Sequence, residues 1–249
     1  MPSKGLRPHE DAYGRAMLDF HEGRRGWTPM IERDDGNVDA DFGVHVYFEE
    51  KFAGPDREAL KFAQGRVLDV GAGAGRVALH LQKTGHDVVA IDNSPLAVKV
   101  MKERGVKDAR VLPFKEIDAR IGTFDTIVMW GNNFGLFGRA SGVRSMLRRL
   151  KKLTNPGARV IGMTVDIYDT DQPVHVAYQR FNRKRGRMPG ELRIRVRYQT
   201  YKTPWFDYIM VSPEEMAELA SGTGWFLERA IHYSDRTPPI FFGVLEKEV

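Results

Sequence analysis

The sequence predicts an α/β fold built on a mainly parallel sheet. Three observations support this prediction: an apolar strand that runs into a glycine-rich turn, alternating strand-like and helix-like segments after it, and an apolar content of 42%, enough for one core. The chain of 249 residues has the length of one such domain. We therefore expect a single domain that spans residues 1–249.

The glycine-rich turn follows the first strand of the predicted sheet. Residues 66–76 read Arg-Val-Leu-Asp-Val-Gly-Ala-Gly-Ala-Gly-Arg, and Val67, Leu68 and Val70 suit a strand covered on both faces. Glycine lets the backbone turn tightly and approach a ligand that a Cβ would block. A dinucleotide fingerprint needs glycine or alanine where this chain has Arg76, which weakens an NAD or FAD interpretation. No Gly-Lys-Ser/Thr follows, so the phosphate-loop pattern also fails.

A second strand follows at the spacing of a nucleotide-binding fold. Residues 87–91 are apolar after their first position, and the strand ends in Asp92, 21 residues after the first glycine of the turn. A carboxylate at this place can accept hydrogen bonds from both hydroxyls of a ribose. Ser94 and Pro95 then start a helix as N-cap and first helical residue, and Gly105 ends it.

The rest of the core alternates in the same way. The helix before Leu153 carries apolar residues at helical spacing, and its Arg and Lys side chains face water. Asn155-Pro156-Gly157 is a predicted turn, and Ser212 opens a capping box before the last helix. The remaining predicted strands are residues 109–112, 124–129, 158–165, 225–233 and 240–245.

The glycine turn and the strand-ending acid together resemble the motifs of class I S-adenosylmethionine-dependent methyltransferases. In that family an acid and a short residue precede Gly-x-Gly-x-Gly, as residues 69–75 do here. The resemblance implies a seven-stranded Rossmann-like methyltransferase sheet in the order 3-2-1-4-5-7-6, with the last strand antiparallel, formed by residues 66–165 and 212–249. It also implies S-adenosyl-L-methionine as cofactor and S-adenosyl-L-homocysteine as its product.

The same resemblance implies which residues contact the cofactor. Asp92 would accept the ribose hydroxyls, and Asp69 would hold the amino end of the methionine near the glycine turn. The family's acidic turn that meets adenine is replaced here by residues 111–116, so we expect backbone groups and Leu112 or Phe114 to contact adenine. The predicted cofactor residues are Asp69, Gly71, Ala72, Gly73, Asp92, Asn93, Leu112, Phe114, Gly131 and Asn132.

The loop after the fourth strand bears on the class of substrate. Methyltransferases of nucleic-acid base amines commonly carry Asp/Asn/Ser-Pro-Pro-aromatic there, whereas residues 130–135 read Trp-Gly-Asn-Asn-Phe-Gly and lack both prolines. This loop looks more like that of small-molecule methyltransferases. Asn132 and Asn133 are candidate contacts for the methionine or the substrate, although asparagine is also common at left-handed turn positions.

Two regions outside the predicted core should cover the active site, because ligands in such sheets bind beyond the carboxyl ends of the strands. Residues 1–60 form an N-terminal cap with a helix around 12–22, and residues 166–211 form a β-rich lid. Alternation within 193–198 places three arginines on one face, which either meets water or binds a carboxylate or phosphate. The predicted substrate contacts are Tyr13, Asn133, His175, Tyr178, Arg195 and Arg197, with His175 and Tyr178 equally suited to packing.

No residue is assigned as a general base. The sulfonium methyl is already electrophilic, so positioning and desolvation can supply much of the catalysis. His45, His175 and Tyr198 are candidates, but no pair at a diagnostic spacing selects one. We expect methyl transfer to an N or O nucleophile of a small molecule, with anions among the candidates. The alternatives are an RNA methyltransferase, which would use the nine Lys or Arg of residues 179–202, and a noncatalytic cofactor-binding protein.

Composition excludes several other classes. The chain contains no cysteine, which excludes a thiol nucleophile and an iron–sulfur radical mechanism and fits a reducing cytoplasm. No apolar run approaches the roughly 20 residues of a membrane span, and residues 1–5 lack the apolar stretch of a secretory signal. We expect a cytoplasmic enzyme without a metal ion or membrane contact, and the oligomeric state is left unassigned.

Overall fold

The computed structural model describes residues 5–41, 43–233 and 238–248, which form two sheets with flanking helices. Residues 1–4 lie outside the described residues. They belong to the stretch 1–5, in which the sequence analysis predicted no secretory signal. The strands are β1 (Met30–Arg33), β2 (Val38–Ala40), β3 (Arg66–Val70), β4 (Asp87–Asp92), β5 (Asp108–Val111), β6 (Phe124–Met129), β7 (Thr154–Val165), β8 (Glu191–Tyr198), β9 (Tyr201–Lys202), β10 (Phe206–Ile209), β11 (Trp225–His232) and β12 (Ile240–Lys247). The α-helices are α1 (Ala12–His21), α2 (Gly54–Leu60), α3 (Arg76–Lys83), α4 (Pro95–Glu103), α5 (Ala140–Lys152), α6 (Pro173–Lys184) and α7 (Pro213–Ala220).

The larger sheet has seven strands in the order β5-β4-β3-β6-β7-β12-β11. Strands β3 to β7 pair in parallel, and the last strand, β12, is antiparallel to both of its neighbours. Val67, Leu68 and Val70 of the central strand β3 are fully buried, as expected for a strand covered on both faces. The predicted α/β fold, strand order and antiparallel last strand are confirmed.

One predicted turn proves to be a bulge within a strand. Strand β7 begins at Thr154, so Asn155, Pro156 and Gly157 lie inside it instead of separating it from α5. Phe124 of β6 pairs with Thr154 of β7, and Thr126 pairs with Arg159, so an advance of two residues along β6 matches an advance of five along β7. The extra residues bend the strand locally, and Gly157 takes a positive φ of 68° that glycine adopts without strain.

The smaller sheet combines two regions that are distant in sequence. Strands β1 and β2 of the N-terminal cap join β8, β9 and β10 of the predicted lid, in the order β10-β8-β1-β2 with β9 on β8. We call this sheet the lid sheet. The prediction of a β-rich lid did not include its pairing with the N-terminal hairpin, and helix α6 also lies within the same insertion.

Helix α1 lies between the lid sheet and α4. Ala16 and Met17 of α1 pack in one buried cluster with Val100 of α4 and Val196 of β8. Asp11 accepts a hydrogen bond from the N–H of Gly14 and another from that of Leu96, each at 3.1 Å, so one carboxylate caps both α1 and α4. This double cap fixes α1 beside the start of α4, directly after the carboxyl end of β4. No helix in the described part of the chain is long and apolar enough to cross a membrane.

Candidate active site

The glycine turn connects the carboxyl end of β3 to α3. Gly71, Gly73 and Gly75 all have a positive φ, of 67°, 56° and 79° respectively, which a residue with a Cβ adopts only under strain. A Cβ on Gly73 would lie 3.1 Å from Cε of Met17 and 3.3 Å from Cδ1 of Tyr47. The turn therefore needs glycine for its backbone shape and for the close approach of the groups above it.

Asp92 ends β4 beside this turn. Its carboxylate accepts the N–H of Gly73 at 3.0 Å through Oδ2 and that of Ser94 at 2.9 Å through Oδ1. Burial raises the pKa of Asp92 to about 6, although the backbone hydrogen bonds act in the opposite direction. Each carboxylate oxygen can accept more than one hydrogen bond, so Asp92 keeps the capacity to accept both ribose hydroxyls.

Asp69 lies one strand away on β3 and is only 2% exposed. Burial, with a smaller contribution from the negative charge of Asp92, raises its pKa to about 7. Its Oδ2 is buried and has no hydrogen-bond partner among the residues that the structure describes. A buried acceptor without a donor is costly, and an ammonium group beside it would remove that cost. The residues at this place thus fit the amino group of S-adenosylmethionine.

The loop after β6 closes the other side of the glycine turn. Asn133 donates both N–H groups of its side-chain amide, to the carbonyls of Val70 at 3.1 Å and Gly71 at 2.9 Å. Both donors of the Asn133 amide are thus used within the protein. The predicted contact of Asn133 with the substrate stays a prediction. Asn132 has a left-handed backbone with φ of 64°, and its buried Oδ1 has no partner in the described ranges.

Three further residues predicted to contact the cofactor, of which Leu112 and Phe114 were expected at the adenine, lie at different depths. Asn93 is exposed, and its carbonyl accepts the N–H of Leu6 at 2.8 Å. Leu112 is half-buried and donates its N–H to the carbonyl of Asp92 at 2.9 Å, so it stands next to the residue predicted to bind the ribose. Phe114 belongs to the main core, where its ring lies 5.3 Å from that of Phe137.

Three tyrosines meet near the glycine turn, and the sequence analysis identified only one of them. We call Tyr13, Tyr47 and Tyr208 the tyrosine cluster. The rings of Tyr13 and Tyr47 are 6.2 Å apart in an edge-on arrangement, and Tyr208 donates its hydroxyl to the carbonyl of Asn132. Its ring lies against Gly135, where a Cβ would come within 2.2 Å of it. The cluster thus lies where α1, the glycine turn and the loop after β6 come together.

Asp41 lies with the tyrosine cluster. Burial raises the pKa of all three phenols, and the charge of Asp41 raises each pKa further. The hydroxyls therefore stay protonated at neutral pH and act as hydrogen-bond donors and acceptors. The positions of Tyr47, Tyr208 and Asp41 in the sequence explain why the sequence analysis did not identify them as substrate contacts. The four side chains come from three separate segments, around residues 13, 41–47 and 208, and no motif in the sequence connects them.

The predicted arginine face of β8 is paired with acids. Arg195 donates to both carboxylate oxygens of Glu32, at 2.9 and 2.7 Å, and Arg197 donates to the same group at 3.3 Å. Arg193 and Asp207 are similarly paired at 3.2 Å. Arg195 holds the pKa of Glu32 below its usual value. An anionic substrate at Arg195 or Arg197 would therefore have to compete with Glu32.

His175 and Tyr178 pack α6 against the lid sheet. Tyr178 is 3% exposed, and its hydroxyl donates to Asp34 at 2.6 Å. The guanidinium of Arg33 lies 4.2 Å from the centre of the Tyr178 ring, and its Nη1 is 3.1 Å from Nδ1 of His175. Every contact named here is a packing contact between α6 and the β1–β2 hairpin.

The other two candidates for a general base are engaged elsewhere. The hydroxyl of Tyr198 donates to Asp19 of α1 at 3.1 Å and is buried. The side chain of His45 is 60% exposed, and its Nε2 lies 3.9 Å from the carboxylate of Glu49. These contacts give no support to a role of either residue in proton transfer.

Comparison with known proteins agrees with this geometry. Residues 67–157 match the family model described as a methyltransferase domain. A S-adenosylmethionine-dependent methyltransferase from Bacteroides fragilis, crystallised with S-adenosyl-L-homocysteine, is 29% identical, with a TM-score of 0.80 over 99% of this chain and 98% of that one. Residues 67–157 thus match a methyltransferase domain, and the chain is similar over nearly its whole length to a S-adenosylmethionine-dependent methyltransferase. The predictions of the family, of an enzyme of this class and of S-adenosylmethionine as its cofactor are confirmed.

Curated relatives of the methyltransferase match over shorter stretches. A ubiquinone biosynthesis O-methyltransferase from Xanthomonas euvesicatoria is 31% identical over 113 residues, which are 43% of this chain and 46% of that protein. A protein named hemagglutinin 1 from Eikenella corrodens is 28% identical over 173 residues, which are 61% of this chain and 56% of that protein. The chain thus spans about half the length of these relatives.

Proposed function

We propose that this methyltransferase transfers the methyl group of S-adenosylmethionine to a nitrogen or oxygen nucleophile of a small molecule. The observation that carries the proposal is the close cover of side chains over the glycine turn. Met17 and Tyr47 approach Gly73 closely, and Tyr208 connects the lid sheet to the loop after β6. An acceptor that reaches the methyl group under such a cover has to be small.

The proposed cofactor contacts follow from the polar groups at the strand ends. When bound, S-adenosylmethionine supplies an electrophilic methyl group on a sulfonium. Asp92 would accept the ribose hydroxyls while it holds the N–H groups of Gly73 and Ser94. The unpartnered oxygen of Asp69 would face the ammonium group, and Leu112 would lie beside the adenine.

The tyrosine cluster would position the acceptor. Rings that exclude water from the acceptor would remove competing hydrogen bonds from the nucleophile, and protonated hydroxyls can orient it. We include Tyr13 and the loop residues Gly131 and Asn132 in this proposed site. A reducing compartment such as the cytoplasm is part of the proposal, because the chain has no cysteine.

The RNA alternative finds less support. Three of the nine basic residues that motivated it, the arginines of β8, are paired with Glu32 and Asp207, so less of their charge is available to phosphates. The basic side chains of α6 are exposed, as expected for an ordinary solvated helix face.

Label transfer tests the proposed function. The purified protein is incubated with S-adenosylmethionine deuterated on its methyl group and with a low-molecular-mass extract, and labelled products are sought by mass spectrometry. We expect a labelled small molecule that is absent from a reaction with the Gly73→Val variant. Normal binding of S-adenosylhomocysteine without any labelled product would instead favour a noncatalytic protein, and label found only in added RNA would favour the alternative.

A further inference from the structure

A short segment before α2 lies against the glycine turn, and we call residues 47–51 the strap. The ring of Tyr47, its first residue, would come within 3.3 Å of a Cβ on Gly73, and it lies 6.2 Å from the ring of Tyr13 on α1. Tyr47 thus packs on the turn proposed to bind the cofactor and also belongs to the cluster proposed to position the acceptor. The position of this ring therefore affects both proposed ligand sites.

The far end of the strap is held by Arg76, the residue that departs from the dinucleotide fingerprint. Arg76 begins α3 directly after the glycine turn, and it donates to the carbonyls of Glu49 at 3.0 Å and Lys51 at 2.8 Å. Its guanidinium also lies 4.1 Å from the centre of the Phe52 ring. These contacts attach the strap to the helix that follows the turn.

The near end of the strap is held by Arg104, which directly follows α4. Its Nη1 donates to the carbonyl of Tyr47 at 3.1 Å and also to the carbonyl of Ala74 in the glycine turn. Arg104 is half-buried, and no carboxylate of the described residues lies within ion-pair distance of it. Hydrogen bonds to the two carbonyls therefore compensate for water that the guanidinium loses.

We propose that Arg104 is a positioning residue for methyl transfer, which acts through Tyr47 by fixing its ring over the glycine turn. This inference rests on the proposed function, because Tyr47 is part of the cluster proposed to position the acceptor. The same Nη1 binds the strap and the turn, so it fixes the distance between the cover and the place of the cofactor. Methyl transfer requires the nucleophile to be held in line with the methyl carbon, and a displacement of about 1 Å lowers the rate strongly.

The rate of label transfer from saturating deuterated S-adenosylmethionine to the low-molecular-mass extract tests this inference. Arg104→Met removes the donors but keeps an unbranched side chain beside the ring of Phe48, whereas Tyr47→Ala removes the ring but keeps the carbonyl. We expect each variant to lower the initial rate roughly tenfold or more, while its affinity for S-adenosylhomocysteine stays within about threefold of wild type. The double variant should be no slower than the slower single variant, because both changes remove the same positioned ring.

Two further variants separate positioning from general damage to the fold. Arg104→Lys keeps a charged donor that can reach one of the two carbonyls, so it should restore part of the rate that Arg104→Met loses. Lys102→Gln is the matched control, because Lys102 is exposed at the end of the same helix, and it should react as wild type does. If Arg104→Met does not fold, Arg104→Lys combined with Tyr47→Ala provides the same comparison.

Three outcomes would overturn the role of Arg104 while leaving methyl transfer to small molecules intact. The first is a wild-type rate in the folded Arg104 variants, and the second is a double variant whose loss is the product of the two single losses. The third is a fall in affinity for S-adenosylhomocysteine as large as the fall in rate, which would assign Arg104 to cofactor binding through Ala74. The absence of any labelled product with the wild-type protein would reject the proposed function and the positioning role with it.

Discussion

At the scale of single residues, two carboxylates carry the proposed cofactor site. Asp92 organises the loops after β3 and β4 through the N–H groups of Gly73 and Ser94, and Asp69 holds an oxygen with no donor in the described residues. Both have a raised pKa because burial disfavours their charged form. Burial destabilises the ionised form of these carboxylates in the free protein, and a ligand with hydroxyl and ammonium donors would stabilise that form.

Removing the carboxylate of Asp92 should weaken cofactor binding. We expect Asp92→Ala to lower the affinity for S-adenosylhomocysteine by about 1.5–3 kcal/mol, the usual contribution of hydrogen bonds to a charged group. Calorimetric titration measures the change, with Asp87→Asn at the exposed start of β4 as control. An unchanged dissociation constant in a folded Asp92→Ala variant would mean that the ribose binds elsewhere.

Cofactor affinity should also depend on pH. The ligand's ammonium and hydroxyl groups bind the ionised carboxylates, whereas in the free protein Asp69 and Asp92 take up protons near pH 7 and pH 6 respectively. Affinity for S-adenosylhomocysteine should therefore fall as the pH is lowered from about 8 to about 5.5. Titrations across this range measure it, and an affinity that is constant or rises toward low pH would contradict the assignment.

The stability of the free protein should change in the opposite sense. Both pKa values are raised from the ordinary 3.8, so protonation favours the folded state. The contribution of these two groups is fully present below the unfolded pKa, and it is lost as the pH rises through about 6 and about 7. Thermal unfolding without ligand, compared between wild type and Asp69→Asn, isolates this contribution from that of other groups.

At the scale of elements, local patterns predicted the core strands well. The apolar run of Val67 to Val70, the Ser94-Pro95 helix start and the Ser212 capping box all specify their own structure over a few residues. The bulge at Asn155–Gly157 was mistaken for a turn, because the same residue types favour both and only the register against β6 distinguishes them.

Non-local pairing explains what the sequence analysis missed. The pairing of Glu32 with Arg195 and the meeting of Tyr13, Tyr47 and Tyr208 depend on segments that are far apart in the chain. The family resemblance predicted Asp69 and Asp92 because motif residues carry that information. It said nothing about the lid, which the motif does not include.

The lid sheet leads to a prediction about RNA. Because the arginines of β8 are paired, replacing Arg193, Arg195 and Arg197 by Gln should change the salt dependence of RNA binding by less than about one unit in total. Binding of a single-stranded RNA at several salt concentrations measures the slope, with Arg180, Arg183 and Lys184 of α6 replaced by Gln as a matched control. A sub-micromolar complex at physiological salt whose slope flattens by about three units in the β8 variant would contradict our account.

At the scale of the whole molecule, two distant insertions become one cover. The N-terminal hairpin and the lid strands form a single sheet, and α1 fixes that sheet to α4 through the double cap of Asp11. The seven-stranded sheet carries the residues proposed to bind the cofactor, whereas this cover supplies Tyr13, Tyr47, Tyr208 and Asp41. The part of the molecule outside the family motif is therefore the part that we expect to select the acceptor.

Titration of S-adenosylhomocysteine into the purified protein tests the central claim most directly. The claim is that the glycine turn, Asp69 and Asp92 bind this ligand at the carboxyl ends of β3 and β4. We predict saturable binding with one ligand per chain, and loss of that binding in Gly73→Val, whose Cβ would press on Met17 and Tyr47 at a positive φ. No binding to the folded wild-type protein, or equal binding to a folded Gly73→Val variant, would contradict it.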